Sequence, residues 1–145
     1  HQWKGMDFAT QAESIRALTQ KYNVEYIGID STGLGQGVFQ LVRSFYPAAR
    51  DIRYTPEMKT AMVLKAKDTI TRGCLEYDVS ATDVTQSFMS IRKTMTSSGR
   101  SATYEASRTE EASHADLAWA TMHVLINEPL TAATGQPSSS ILDFN

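Results

Sequence analysis

The sequence predicts an α/β fold in which short parallel strands are joined by helical crossovers. Two observations lead to this fold. Short β-rich runs alternate with segments of helical apolar spacing, and a polar alternating stretch around a glycine turn precedes one last helix. With 145 residues, of which 41% are hydrophobic, the chain can form one domain with a substantial core. We place that domain at residues 1–130 and expect a loose tail at residues 131–145.

The first half of the chain begins with a predicted amphipathic helix at residues 7–22, for which Asp7 is the expected N-cap. Its apolar side chains recur at helical spacing at Phe8, Ala12, Ile15, Leu18 and Tyr22. The β-rich run at residues 24–30 predicts a buried strand. A second helix then opens in a cluster of glycines and ends before Pro47.

The middle of the chain offers a second strand candidate at residues 52–55. A helix is predicted from Pro56 to about residue 72, and Gly73 closes it. Residues 74–77 could form another short strand. The next helix begins at Thr82, and its apolar positions are Val84, Phe88 and Ile91.

Residues 91–106 change character, because two polar, alternating runs flank Ser97-Ser98-Gly99-Arg100. Such a pattern predicts a β-hairpin with a glycine-containing turn. The last helix is predicted at residues 113–127 and stops before Pro129.

Charge and cysteine usage limit the function classes. The formal net charge is −2, whereas a dedicated DNA clamp is usually basic, so any DNA contact needs a local basic face or charge from another domain. Cys74 is the only cysteine, which excludes an internal disulfide and a cysteine zinc cluster and suits a reducing cytoplasm. We find no signal peptide and no apolar run long enough for a bilayer. Because the chain begins at His1 without Met, we interpret it as a fragment.

Asp30 is the first candidate for chemistry. It ends an apolar strand, where the sheet of an α/β fold opens into a crevice, and seven uncharged residues follow it. A carboxylate at that place can bind a hard cation such as Mg²⁺. Alternatively, Asp30 caps a turn or the next helix.

Asp116 is the second candidate, in the first turn of the last predicted helix. Helical spacing places it in line with Ala120 and His123, at the edge of a predicted apolar stripe. That stripe comprises Leu117, Ala120, Val124 and Leu125. Alternatively, Ser113 and Asp116 form part of a capping box, since acids favour helix N-termini.

Other kinds of site have weaker support. Gly33, Gly35 and Gly37 resemble a phosphate loop, but their spacing differs from the dinucleotide fingerprint and Asp30 would repel a pyrophosphate. His114, Asp116 and His123 lack a zinc spacing, and no serine nucleophile elbow is present.

Basic residues fall into two groups, which are either solvated faces or contacts for a phosphate backbone. The first lies on the predicted helix that starts at Pro56 and comprises Lys59, Lys65, Lys67 and Arg72. The second surrounds the predicted hairpin and comprises Arg92, Lys93, Arg100 and Arg108.

Two stretches resemble the nuclease domain of tailed-phage terminase large subunits. They are Tyr26-Ile-Gly-Ile-Asp30-Ser-Thr-Gly-Leu-Gly-Gln-Gly-Val-Phe and Ser113-His-Ala-Asp116-Leu-Ala-Trp-Ala. The similarity extends over nearly the whole chain, and the two motifs occur in this order with a predicted hairpin between them. It implies a ribonuclease H-like mixed sheet flanked by helices, with a late hairpin and a C-terminal helix.

The resemblance also implies an activity and a site. These domains cut concatemeric double-stranded DNA during genome packaging, with two Mg²⁺ or Mn²⁺ ions bound by acidic residues. It maps two metal ligands onto Asp30 and Asp116, and we expect both to be catalytic, with His114 contacting the phosphate. The DNA-binding residues that we expect are Lys59, Lys65, Arg92, Lys93 and Arg100.

The family also uses an Asp on its first strand, and no residue here can take that place, because residues 1–3 resemble the end of a later strand. We therefore expect a fold that lacks its first strands, an incomplete two-metal site and little or no cutting by this piece alone. Glu110 and Glu111 are possible helpers, although a solvated role suits both better.

Implied partners are double-stranded DNA, an N-terminal ATPase domain of the same polypeptide, the portal protein and the small terminase subunit, in the bacterial host cytoplasm and without a membrane. Two alternatives stay open. One is a non-catalytic ribonuclease H-like domain that docks on the portal or another packaging subunit. The other is nucleotide binding at the glycine loop 33–37.

Overall fold

Five helices and four strands lie in the part of the chain that the computed structural model describes, namely Trp3, residues 5–97, Gly99, residues 101–106 and residues 115–128. In chain order they are α1 Phe8–Lys21, β1 Gly28–Asp30, α2 Gly35–Phe45, β2 Arg50–Ile52, α3 Pro56–Thr71, α4 Thr82–Met89, β3 Ile91–Met95, β4 Ala102–Ala106 and α5 Ala115–Asn127. The prediction of an α/β fold is confirmed.

Local capping explains why the predicted helices form where they do. The Asp7 carboxylate accepts a hydrogen bond of 2.9 Å from the backbone N–H of Thr10 and caps α1. Thr55 caps α3 in the same way, and Pro56 occupies the first turn. Gly73 follows α3 with a φ of 66°, which favours glycine.

β1 and β2 form a parallel pair in which Asp30 is opposite Ile52. Both strands were predicted with wrong bounds: β1 begins later than residue 24, and β2 begins two residues before the predicted 52–55 and shares only Ile52 with it. The cause lies in the residues after β2. The backbone N–H of Tyr54 donates to the Thr32 hydroxyl, and Thr55 caps α3, so their backbone does not continue the ladder of β2.

β3 and β4 form the predicted antiparallel hairpin. Within the described residues it is a sheet separate from the β1–β2 pair, where the sequence predicted one mixed sheet. The strand expected at residues 74–77 is absent, because the backbone N–H of Cys74 donates to Thr69 and prolongs the end of α3. Ile91 belongs to β3 and not to the preceding helix, which ends at Met89.

The described residues contain two clusters of buried apolar side chains. The first joins α1 and α2 and comprises Ala12, Val38, Phe39, Val42 and Ala49. The second joins α3 and α5 to β2 and comprises Ile52, Met62, Ala66, Ala115, Ala118, Trp119, Met122 and Leu125. Ile29 packs against the first cluster and Ile52 belongs to the second, so the parallel pair separates them.

The predicted apolar stripe of α5 is wrong in part. Leu125 is buried, but Ala120 and Val124 are exposed. The buried face includes Ala118 and Met122 instead, because both α3 and α4 pack on that side of the helix. None of the described helices has the length and apolar character needed to cross a membrane.

Candidate active site

A cavity of about 380 Å³ lies at the C-terminal end of β1, between that strand and α5. Asp30 and Asp116 both line it, together with Tyr54, Trp119 and His123. The hypothesis of a shared metal site requires the two acids to face each other. Asp30 at the tip of β1 and Asp116 in the first turn of α5 do face one shared cavity. All three residues of β1 line the cavity, and Ile29 also packs against the first cluster.

Asp30 is half-buried at the tip of β1, and one of its carboxylate oxygens, Oδ1, accepts a hydrogen bond of 2.8 Å from the backbone N–H of Thr32. This is the turn-capping role that the sequence left open. Asp30 does not cap α2, whose N-cap position is Leu34 and receives no side-chain bond. Among the described residues no cation pairs with Asp30 and no donor is bound to its Oδ2, so one oxygen is available to a ligand.

The glycine cluster next to Asp30 has a steric reason. A Cβ at Gly35 would lie 1.8 Å from the backbone oxygen of Asp30, which no side chain tolerates. A glycine at this position therefore allows the first turn of α2 to lie directly against the end of β1. Gly33 has a φ of 62°, a left-handed conformation that favours glycine. These two glycines are explained by the path of the chain, without a bound nucleotide.

Asp116 is exposed in the first turn of α5 and has no ion pair among the described residues. The position of that turn is fixed from α4, because the fully buried Ser87 hydroxyl accepts a hydrogen bond of 2.8 Å from the backbone N–H of Ala118. Ala115 and Ala118 are almost fully buried, and their small side chains let α5 pack closely. α4 thus holds the turn that carries Asp116.

Tyr54 and His123 form a hydrogen-bonded pair beside the two carboxylates, with 2.7 Å between Tyr54 Oη and His123 Nε2. His123 Nδ1 lies 3.3 Å from the backbone oxygen of Gly28. Burial lowers the pKa of His123 and outweighs Gly28 and Asp30, which raise it. Burial, followed by the negative charges of Asp30 and Asp116, raises the pKa of Tyr54 far above its usual range. The imidazole is therefore neutral and the phenol protonated at neutral pH.

The donor set fits one hard divalent cation better than two. Two carboxylates without a cation partner face a cavity that has room for the waters that Mg²⁺ and Mn²⁺ retain. No group of three or more His, Cys, Asp or Glu side chains that could hold a metal occurs within the described residues. A second ion would need ligands from outside them.

Residues 1–128 match the family model described as the terminase RNaseH-like domain. The chain belongs to this family. The ribonuclease H-like fold and the resemblance on which it was predicted are thereby confirmed, and the helices and small sheets described above agree with a truncated version of that fold.

Two curated relatives extend the comparison. The chain is 86% identical over 145 residues to a protein of Escherichia phage P2 named terminase, ATPase subunit, with 99% of this chain and 25% of the relative covered. It is 43% identical over 132 residues to the probable terminase, ATPase subunit, of Haemophilus phage HP1, with 90% of this chain and 22% of the relative covered. The domain thus spans about a quarter of the length of these relatives. No solved structure gives a significant match.

None of the basic residues in the described part of the terminase RNaseH-like domain lines the cavity. Lys59 Nζ lies 3.9 Å from the Glu105 carboxylate of β4. Arg92 is directly opposite Glu105 in the hairpin register, and its guanidinium donates to the backbone oxygens of Met89 and Ile91. Lys65 Nζ donates to the backbone oxygen of Glu128 at the end of α5. Lys93 is exposed on β3.

Several predicted site residues lie outside the described part of the terminase RNaseH-like domain. They are His114, Arg100, Arg108, Glu110 and Glu111, and the predicted tail 131–145 lies outside it as well. Their roles stay predictions.

Tyr54 and Trp119 were not among the predicted site residues. Helical spacing placed His123 in line with Asp116, but no role in the site was predicted for His123. A usable signal was the seven-residue separation of Asp116 and His123, which places both on one face of a helix. Nothing in the sequence connects Tyr54 to them.

Proposed function

We propose that this terminase RNaseH-like domain is a metal-dependent endonuclease that cuts concatemeric double-stranded DNA during packaging of a phage genome. The observation that carries the proposal is the shared cavity of Asp30 and Asp116 at the end of β1. Family membership supports the same reading, because the relatives are named terminases. The complete protein acts in the host cytoplasm at the portal, with an ATPase domain and a small subunit as partners.

In this proposal Asp30 and Asp116 bind Mg²⁺ or Mn²⁺ from two sides of the cavity. When bound, the cation supplies an activated water and stabilises the leaving oxygen. The bond from the backbone N–H of Thr32 holds the Asp30 carboxylate in one orientation, and the rings of Tyr54 and Trp119 restrict bulk water on one wall. A second cation and the phosphate contact assigned to His114 need residues outside the described part of the chain.

DNA contact is assigned to the basic residues near the hairpin and on α3. The acidic net charge of −2 is compatible with this assignment if the ATPase domain and portal hold most of the phosphate backbone. The predicted contacts are Lys59, Lys65, Arg92, Lys93 and Arg100. Because the site lacks a third described carboxylate, we expect this piece alone to cut weakly or not at all.

The test uses Asp30→Asn and Asp116→Asn in the complete protein, with cleavage of supercoiled plasmid in Mn²⁺ as the measurement. We expect each variant to lose at least about 100-fold in rate, on the order of 3 kcal/mol, because each loses a charged metal ligand. Folding is followed by circular dichroism and by ATP hydrolysis, which should remain unchanged.

The chain offers a matched control for each variant. Asp78 accepts a 2.8 Å hydrogen bond from the backbone N–H two residues further on, as Asp30 does, but is remote from the cavity. Asp83 is an acid in the first turn of α4, as Asp116 is in α5. Asp78→Asn and Asp83→Asn should cut at the wild-type rate. Unchanged cleavage in both Asp30→Asn and Asp116→Asn would refute the nuclease.

A docking domain without catalysis is the second candidate. The net charge of −2 and the lack of a third described acid at the site favour it. In that case all four variants would cut equally, and loss of portal binding would follow from changes elsewhere on the surface.

A further inference from the structure

We infer that Tyr54 and His123 are positioning residues, which fix α5 against β1 and thereby set the separation of the Asp30 and Asp116 carboxylates. This inference rests on the proposed function, since the separation matters only if the two acids share a cation. Neither residue is assigned to contact the cation.

The first argument is a closed circuit of hydrogen bonds through the site. Asp30 Oδ1 accepts from the backbone N–H of Thr32, and the Thr32 hydroxyl accepts from the backbone N–H of Tyr54 at 3.0 Å. The Tyr54 side chain then contacts His123, and His123 returns to Gly28, two residues before Asp30. The circuit joins β1, the segment after β2 and α5, so a shift of α5 along β1 breaks at least one of its bonds.

The donor directions in the circuit follow from chemistry. A carbonyl oxygen can only accept, so His123 Nδ1 carries the proton and donates to Gly28. Because burial keeps the imidazole neutral, its Nε2 is an acceptor, and the Tyr54 hydroxyl donates to it. The pair therefore has one arrangement at neutral pH, which suits a positioning role.

The second argument is the register of α5. Asp116 and His123 are seven residues apart, which is about two helical turns, so their side chains leave the helix within roughly 20° of each other and about 10 Å apart along its axis. Holding the His123 ring against Gly28 therefore fixes both the rotation and the height of Asp116. Trp119 adds to this, since its ring lies 5.2 Å from the Tyr54 ring.

Among the described residues, no side chain other than Tyr54 bonds to His123 Nε2. His123 is 7% exposed, and its Nε2 accepts the hydrogen bond of the Tyr54 hydroxyl. Loss of the hydroxyl removes this bond between the segment after β2 and α5, so only the His123 bond to Gly28 and the ring packing remain to hold the helix there. The consequence should appear in cation binding before it appears in the overall fold.

The test is Mn²⁺ binding to the complete protein, measured by electron paramagnetic resonance, in Tyr54→Phe and in a matched control. Tyr46→Phe is that control, because its partly buried hydroxyl also makes one hydrogen bond, to the backbone oxygen of Val24 at 3.2 Å, away from the cavity. Phenylalanine keeps the ring packing in both. We expect Tyr54→Phe to weaken Mn²⁺ binding roughly tenfold, as removal of an outer partner of a metal ligand does, and Tyr46→Phe to leave it unchanged.

A double-mutant cycle tests whether the pair acts as a unit. His123→Asn keeps an N–H for the Gly28 oxygen and loses the acceptor for Tyr54, so its effect and that of Tyr54→Phe should not add. Equal Mn²⁺ affinity in wild type, Tyr54→Phe and Tyr46→Phe would overturn the inference, as would full additivity. The proposed function fails differently: the wild type then binds no Mn²⁺, or Asp30→Asn binds it as well as the wild type.

Discussion

At the scale of single residues, Gly35 shows how closely the backbone is packed behind the candidate ligand. Its α-carbon faces the backbone oxygen of Asp30, and a methyl group there would lie 1.8 Å away. Backbone cannot yield as a flexible side chain does, so an added methyl must separate α2 from β1. The glycine is needed for the shape of the cavity, although it carries no chemistry of its own.

We therefore predict that Gly35→Ala destabilises the domain by roughly 3 kcal/mol, at the upper end of overpacking costs, and weakens Mn²⁺ binding because Asp30 is displaced. Gly33→Ala is the control: nothing lies within 4 Å of its Cβ, and only the left-handed φ costs about 1 kcal/mol. Urea unfolding and Mn²⁺ titration measure the two effects. Similar losses of affinity in both variants would contradict the steric argument.

At the scale of elements, the helices and the hairpin were predicted well and the two parallel strands poorly, for a physical reason. Asp7 caps the start of α1, and Thr55 caps the start of α3 with Pro56 in its first turn. These contacts join neighbouring residues, so a short stretch of sequence is enough to predict them. The bounds of β2 depend on the Thr32 hydroxyl, which takes the backbone N–H of Tyr54 from 22 residues away. Contacts between residues so far apart in the chain leave no pattern in the sequence around either residue.

The orientation of α5 also depends on contacts between residues far apart in the chain. One of them, the hydrogen bond from the Ala118 N–H to the Ser87 hydroxyl, can be tested by itself. Ser87→Ala should destabilise the domain by about 1–3 kcal/mol, because it leaves the buried N–H of Ala118 without an acceptor. Ser44→Ala is the control, since that exposed hydroxyl only donates back to Leu41 within α2. Chemical denaturation gives both values. A cost below about 0.5 kcal/mol for Ser87→Ala would mean that α5 is held without this bond.

At the scale of the whole molecule, the sequence supplied both carboxylates but only a family resemblance brought them together. Asp30 and Asp116 are 86 positions apart by their numbers, and a terminal strand position or a helix cap explains each equally well when taken alone. In the folded domain both line one cavity. Tyr54 and His123 are 69 positions apart and neither has a motif of its own, so the sequence did not predict their contact.

The last prediction concerns the effect of acidic and basic surface residues on DNA binding by the whole molecule. Glu105 pairs with Lys59 at 3.9 Å and is opposite Arg92 in the hairpin register, so it competes with a phosphate for Lys59. Glu105→Gln in the complete protein should tighten DNA binding and steepen its salt dependence by about 0.9 in log–log slope, the value for one further neutralised phosphate. Glu76→Gln makes the same change in net charge beside a different cavity, between α3 and α4, and should leave the slope unchanged. Fluorescence anisotropy between about 50 and 200 mM salt measures both slopes. An equal change in the two variants would mean that net charge alone acts and that the pair of Lys59 and Glu105 does not contact DNA.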